Sequence, residues 1–193
     1  MHNAELLEEF VATFAKLDEM AVRARESDPA AWELRNGETD EYGWSRWRPA
    51  KTLSDRAQLD PVYAKLPARF PPLYEELVLS YRWATVDLQL FRLLANPPGP
   101  DLNRLLAEIS RDPAIWQGLI PAGYIQFGRG PDMDYDPVCF DIKSRSKNGD
   151  YRIVKIDHEE ILCNYRVKVV GEIAPSFYEL VRQTIELAEG LEK

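Results

Sequence analysis

The sequence predicts an α+β fold, with a mostly antiparallel sheet of about four to six strands flanked by helices. Three observations carry this. Apolar residues recur at helical spacing through the first half of the chain and again at its end. Short alternating runs rich in β-branched residues gather between Gly123 and Ile173. An Asn-Gly pair separates two of those runs. Helices and strands segregated along the chain make an α+β domain.

Asn3 is placed to cap a first helix, with Glu5 favourable in its first turn. Leu6, Phe10, Phe14, Leu17 and Ala21 follow at spacings of three and four, which gives one apolar stripe that needs covering. The stripe fades before "SDP" at Ser27 to Pro29, since a residue preceding proline disfavours helix. "AAWELRNGETDEYGWSRWRPAK" has no clean period and reads as irregular, with a short helix or strand. Its Trp32, Trp44 and Trp47 either pin this loop onto the core or form a binding patch. The enrichment of Trp at interface hot spots allows the patch, but the mostly buried average state of tryptophan puts pinning ahead.

Pro71 and Pro72 suit the first turn of a second helix, where a missing N–H costs nothing. Leu73, Leu77, Val78 and Tyr81 form its inner face. "NPPGP" then breaks the chain before a third helix from Asp101 to about Ser110, with Leu102, Leu105, Leu106 and Ile109 as its stripe. "RDPAIWQGLIPAG" reads as a turn with Trp116 and Ile120 inward. "YIQFG", "VCFDIK", "YRIVKID" and "RVKVVGEI" are strand candidates. Asn148-Gly149 predicts a two-residue hairpin turn in which both central residues take positive φ. Ser176 and Glu179 form a capping box for a closing helix, with Phe177, Leu180, Val181, Thr184 and Leu187 along one side.

A chain of 193 residues fits one globular domain and can bury a core without disulfide or metal staples. Residues 1–66 read as an N-terminal helical and irregular elaboration packed on a core of residues 67–193. The net charge of −8 argues against nucleic acid, whose phosphates are met by Lys and Arg, and against an anionic membrane surface. It is compatible with a basic protein partner, because charge complementarity speeds encounter, although charge alone favours the plainer reading of an acidic, soluble protein. Cys139 and Cys163 form no C-x-x-C pair, so a reduced, cytoplasmic state is expected. "MHNAELLEEF" lacks the basic and apolar regions of a signal peptide, and no run is apolar enough to span a membrane.

The acidic stretch "DYDPVCFDIKSRSKNGDYRIVKIDHEE" holds most of the acidic clustering in the chain and one of its two histidines. Asp132, Asp134 and Asp136 match the first three ligands of a calcium loop, but Pro137 stands where glycine is needed and Lys143 where a bidentate Glu is needed. "HEEIL" begins like a zinc helix but ends in Leu162, and the other histidine is His2 at a terminus expected to fray. The hairpin would let Asp141 and Asp157 approach each other as an acid/base pair, although a turn-flanking Asp more often accepts backbone N–H bonds. Neither cysteine has a histidine nearby, and no nucleophile elbow or phosphate loop is present. His158 reads as bonded to backbone rather than catalytic. No catalytic residue, metal or cofactor is expected.

The order of signals resembles a known family. "RFPPLYEELVLSY" is similar to the "LP-x-x-Y-x-x-F-L" helix of the SUKH superfamily, the Smi/Knr-type cell-wall-assembly regulators and bacterial toxin-immunity proteins. "YDPVCFDI" resembles its D-P-V-C-F-D strand, "RIVKIDHEEIL" its next strand ending in "DHE", and "IAPSFYELV" its closing "A-x-S-F-x-E-F-L" helix. The four segments lie in order between about Pro67 and Leu187. The chain departs from the pattern at "SYRWATVDLQLFRLLANPPG", which stands where the family has a glycine-bearing turn. The resemblance implies a non-enzymatic α+β domain. Yeast members act in signalling to cell-wall synthesis, and many bacterial members look like immunity proteins that neutralise a toxin domain.

The leading expectation is therefore a protein-binding domain of immunity type, taking a protein partner such as a basic toxin domain. Its expected contacts are Asp132, Asp134, Asp136, Asp157 and Glu159, with Trp44 and Trp47 as anchors. The alternatives are a small-molecule-binding or regulatory domain of the same fold, and a metal-assisted hydrolase using the aspartates around Asp136 with His158.

Overall fold

The computed structural model describes residues 3–23 and 29–191. Helix α1 (Asn3–Leu17) buries Leu6, Leu7, Phe10 and Phe14, and its apolar face is covered within the chain by the closing helix. The helix ends before the last residue of the expected stripe. Asp18 accepts from the Met20 N–H at 3.0 Å, Met20 takes a φ of 51°, and Ala21 turns away into strand β1 (Ala21–Arg23). Ser27 of the expected break, like His2, lies outside the described residues, and Pro29 starts a short helix α2 (Pro29–Glu33). The tryptophan-rich stretch supplies β2 (Trp44–Arg46), paired antiparallel with β1, and β3 (Ala50–Lys51).

A 3₁₀ turn at Arg56–Leu59 leads into α3 (Asp60–Tyr63). Helix α4 (Pro72–Ser80) starts at its proline as expected and buries Leu73, Tyr74, Leu77 and Val78. It runs directly into β4 (Tyr81–Arg82), which pairs with β3. Next come β5 (Val86–Asp87) and β6 (Arg92–Leu93), a tight hairpin turning through Gln89 at a φ of 64°. Helix α5 (Asn103–Ile109) follows, with Asp101 accepting from the Asn103 N–H at 2.9 Å.

The segment expected to be a turn is helix α6 (Pro113–Ala122). Asp112 caps it, accepting from the N–H groups of Ala114 at 3.0 Å and Ile115 at 3.2 Å. Pro113 occupies the first turn, and Gly123 closes the helix at a φ of 84°, a left-handed conformation natural to glycine. Its buried residues are Ile115 and Leu119, while Trp116 and Ile120 are half-buried, so the inward face is one residue off the expectation.

Strands β7 (Tyr124–Arg129), β8 (Pro137–Asp141) and β9 (Arg152–Ile156) form a meander. The turn between β8 and β9 is longer than a two-residue turn. Gly149 N–H donates to Ser146 O at 3.0 Å, Ser146 N–H donates to Asp150 O at 2.8 Å, and only Gly149, not Asn148, has positive φ. This is the three-residue solution, a turn followed by a left-handed glycine. After β9 come α7 (His158–Asn164), β10 (Val169–Ala174) and α8 (Phe177–Gly190). Ser176 Oγ accepts from the Glu179 N–H at 3.1 Å, and Asp150 of the hairpin turn accepts from the N–H of Phe177 at 3.1 Å. Ile185 and Ala188 join the buried face of α8 in place of the half-buried Leu187.

The main sheet has the order β10-β9-β8-β7-β6-β5, with every neighbouring pair antiparallel, so the fold is α+β. Alternation along the strands splits the core between two faces. Phe127, Val138, Phe140 and Ile153 pack with α1, α4 and α8 on one face. Cys139, Val154 and Ile156 pack with Ile115 and Leu119 of α6 and Ile161 of α7 on the other. Phe127 and Phe140 stack at 4.1 Å between centroids, with Tyr74 and Phe177 edge-on to both. Offset and edge-on pairs of this kind add about 0.5–1.5 kcal/mol beyond area burial. Leu6, Phe10, Trp47 and Leu59 of the first 66 residues belong to the same buried cluster as Phe127 and Phe140.

Candidate functional site

Loop 130–136, between β7 and β8, is tied to itself. Gly130 N–H donates to Asp136 O at 2.9 Å, Asp134 N–H to Pro131 O at 3.0 Å, and Asp136 N–H to Asp134 Oδ1 at 2.9 Å. Lys155 of β9 reaches under it, with Nζ 2.9 Å from Asp134 Oδ2 and 3.8 Å from Asp136 Oδ2. Burial alone would raise the Asp134 carboxyl. The Asp136 N–H and the Lys155 ammonium outweigh that and hold it below the usual range. The hydrogen bond to Asp134 in turn raises Lys155. Two of the expected acidic contacts are thus already partnered within the chain.

His158 opens α7 beside this loop. Its ring Nδ1 lies 2.7 Å from Asp136 Oδ1, and the same oxygen accepts from the His158 backbone N–H at 3.0 Å. The carboxylate assigns the ring proton to Nδ1 and leaves Nε2 as the free nitrogen. Asp157 caps α7, accepting from the Glu160 N–H at 3.1 Å, and faces Lys168 at 3.5 Å. That backbone hydrogen bond, with Lys168, keeps its carboxyl below the usual range. Glu159 is exposed in the first turn of α7.

The expected approach of Asp141 to Asp157 does not occur. In the register of β8 and β9, Asp141 lies opposite Arg152, so Asp157 falls at the far end of the ladder. Asp141 is buried and bonded to Arg152 at 2.7 Å. Cys139 is buried in the sheet, where burial pushes its thiol up, and Cys163 is exposed on α7. Among the described residues, no group of three or more His, Cys, Asp or Glu is arranged to hold a metal ion.

The two tryptophans expected to anchor a partner part company. Trp47 is 2% exposed and sits in the core, so it pins the loop and has no surface to offer a partner. Trp44 is 37% exposed, with the Arg23 guanidinium 5.7 Å from its ring centre. Asp40 fixes its backbone, accepting from the Trp44 N–H at 2.8 Å. Trp44 and Asp132 line one groove of about 950 Å³, together with Asp18, Glu19, Asp87 and Arg92. Glu38 and Asp40 line a second depression, which shares Glu19, Ala21 and Trp44 with this groove. Arg92 is drawn onto Asp87 at 3.0 Å, so the groove is negative in balance.

Asp18, Glu19 and Asp87 were not among the expected contacts. Asp87 carries no usable signal, because its strand is two residues long and the apparent alternation of "VDLQL" runs into a turn through Gln89. Comparison of the chain with protein-family models and with curated proteins finds no match.

Proposed function

We propose that this chain is a non-enzymatic protein-binding domain of the SUKH type, whose acidic groove around Trp44 takes a basic segment of a partner, as an immunity protein takes a toxin domain. The observation that supports the reading is the shared groove. A half-exposed tryptophan shares the groove with Asp18, Glu19, Asp87 and Asp132; Arg92 is bound to Asp87, and the Arg23 guanidinium lies 5.7 Å from the tryptophan ring centre, so acids outnumber cations there. Aromatic side chains anchor interfaces, and a surrounding field of one sign steers an oppositely charged partner.

The test is affinity capture of the tagged chain from its host at low and moderate salt, followed by binding measurements on the recovered partner. One stoichiometric basic partner is expected. Trp44→Ala should weaken it by about 30-fold or more, the size of a hot-spot loss. The combined Asp18→Asn, Glu19→Gln, Asp132→Asn variant should slow association by about tenfold at low salt. A partner bound equally by both variants would place its interface elsewhere and sink the reading.

A further inference from the structure

We propose that the cleft between α6 and α7 is a binding site for a small molecule bearing a carboxylate or phosphate group, held between Arg129 and His158. The cleft measures about 160 Å³ and opens at the end of the sheet, on the face opposite the aromatic core. Its lining includes Arg129 at the end of β7, Ile115 of α6, Leu162 of α7 and the exposed Tyr135.

Four features separate this cleft from an ordinary surface crevice. Arg129 is half-buried, yet its guanidinium has no ion pair or side-chain hydrogen bond among the described residues. Arg129, opposite Pro137 in the β7–β8 register, lines the same cleft as Pro137 and the His158 side chain. That ring is held through its Nδ1 by Asp136, whose same oxygen is anchored by the His158 backbone N–H, so Nε2 is the nitrogen left for a ligand. The acid of the lining, Asp112, is turned onto the N–H groups of Ala114 and Ile115 and lies beyond ion-pair reach of Arg129.

A guanidinium presents a planar fork that matches the paired oxygens of a carboxylate or phosphate. A hydroxyl next to that anionic group would donate to His158 Nε2, and the apolar remainder would rest on Ile115 and Leu162. Asp136 serves as a positioning residue that holds the ring. The volume admits the anionic end of a ligand and little more.

The test uses the ring signals of the two histidines, His2 and His158, read by NMR on the full chain. The probes are sodium acetate, lactate and inorganic phosphate, with chloride balancing the ionic strength. The expected result is a saturable shift of the His158 signals with lactate or phosphate and none at His2. Arg129→Gln should weaken that binding by about tenfold or more, the size of one lost charge-assisted hydrogen bond. Saturation by lactate and acetate identifies a carboxylate site, and saturation by phosphate alone a phosphate site. A shift that rises linearly without saturating, or is unchanged in Arg129→Gln with the unliganded His158 signals in place, would overturn the proposal. If Arg129→Gln disturbs the fold, Arg129→Lys keeps the charge without the fork and should still bind more weakly; equal binding would count against the site.

Discussion

The carboxylate of Asp87 accepts a hydrogen bond from the backbone N–H of Asp132 at 2.8 Å, and so fastens the β5–β6 hairpin to the loop that follows β7. The same side chain accepts from the Gln89 N–H at 3.0 Å and pairs with Arg92 at 3.0 Å, while its own backbone N–H donates to Asp18 at 2.7 Å. One residue therefore holds the end of α1, the hairpin and the acidic loop in register, and these are the segments that make the groove. Asp87→Ala should lower stability by about 1–2 kcal/mol, because it removes the shared acceptor of two backbone donors and a guanidinium, which water then meets less well. Asp87→Asn keeps an acceptor and should cost less. Urea unfolding reads the cost, and amide exchange at Asp132 should quicken in the alanine variant. A change below about 0.5 kcal/mol, the range of an ordinary surface substitution, would show that the loop is held by its internal bonds alone.

The acidic loop and the α7 cap also set a pH dependence. Asp134 and Asp157 titrate lower in the folded chain than ordinary carboxyls. The unfolded chain therefore takes up more protons as pH falls. The stabilisation from both is complete above about pH 4 and is lost as pH falls through their lower folded values. Lys155 works in the opposite sense. Its folded value is raised, so its contribution is full below the ordinary lysine value and lost as pH rises through the raised one. Denaturation of the parent chain and of Asp157→Asn between pH 7 and pH 3 checks the first part. The two curves should converge toward acid. Lys155→Gln should differ most from the parent at neutral pH and least at the alkaline limit. Parallel curves in both comparisons would refute the assignment.

Much of this was legible in the residues. The Ser176–Glu179 box and the stripe after it gave α8, and alternation gave the four strands from β7 to β10. The hairpin β5–β6 escaped because its strands are two residues each and its turn uses Gln89 where a sequence reading looks for glycine. Helix α6 escaped because Gly118 and Pro121 read as breakers. Gly118 is there for packing, since a Cβ on it would meet Ile161 Cγ2 of α7 at 3.0 Å. At the site, Asp136 and His158 were both singled out, and their meeting follows from the β8–β9 register, in which Val138 faces Lys155. The groove was not legible, because Asp18, Trp44, Asp87 and Asp132 come from four distant segments and no local pattern joins them.

Gly130 offers a test of how tightly the acidic loop is closed. A Cβ built there would fall 2.2 Å from both Cγ and Oδ2 of Asp134 and 2.5 Å from its Cβ. Rotating the carboxylate away would relieve the first two contacts but not the third, so the loop itself has to shift. The φ of Gly130 is not left-handed, so the substitution probes space and not backbone conformation. Gly130→Ala should therefore break the 2.9 Å contact of Asp134 with Lys155 and cost about 1–3 kcal/mol, mostly from overpacking, because a part-exposed ion pair contributes no more than about 1 kcal/mol. Gly171→Ala is the control. Nothing lies within 4 Å of a Cβ there, and its cost should stay within about 0.5 kcal/mol. Asp134→Gly removes all three obstructing atoms, so Gly130→Ala should cost much less in that background, with a coupling of about 1 kcal/mol or more. If the two substitutions prove additive, the strain lies elsewhere in the loop, and the packing of Gly130 against Asp134 does not hold it closed.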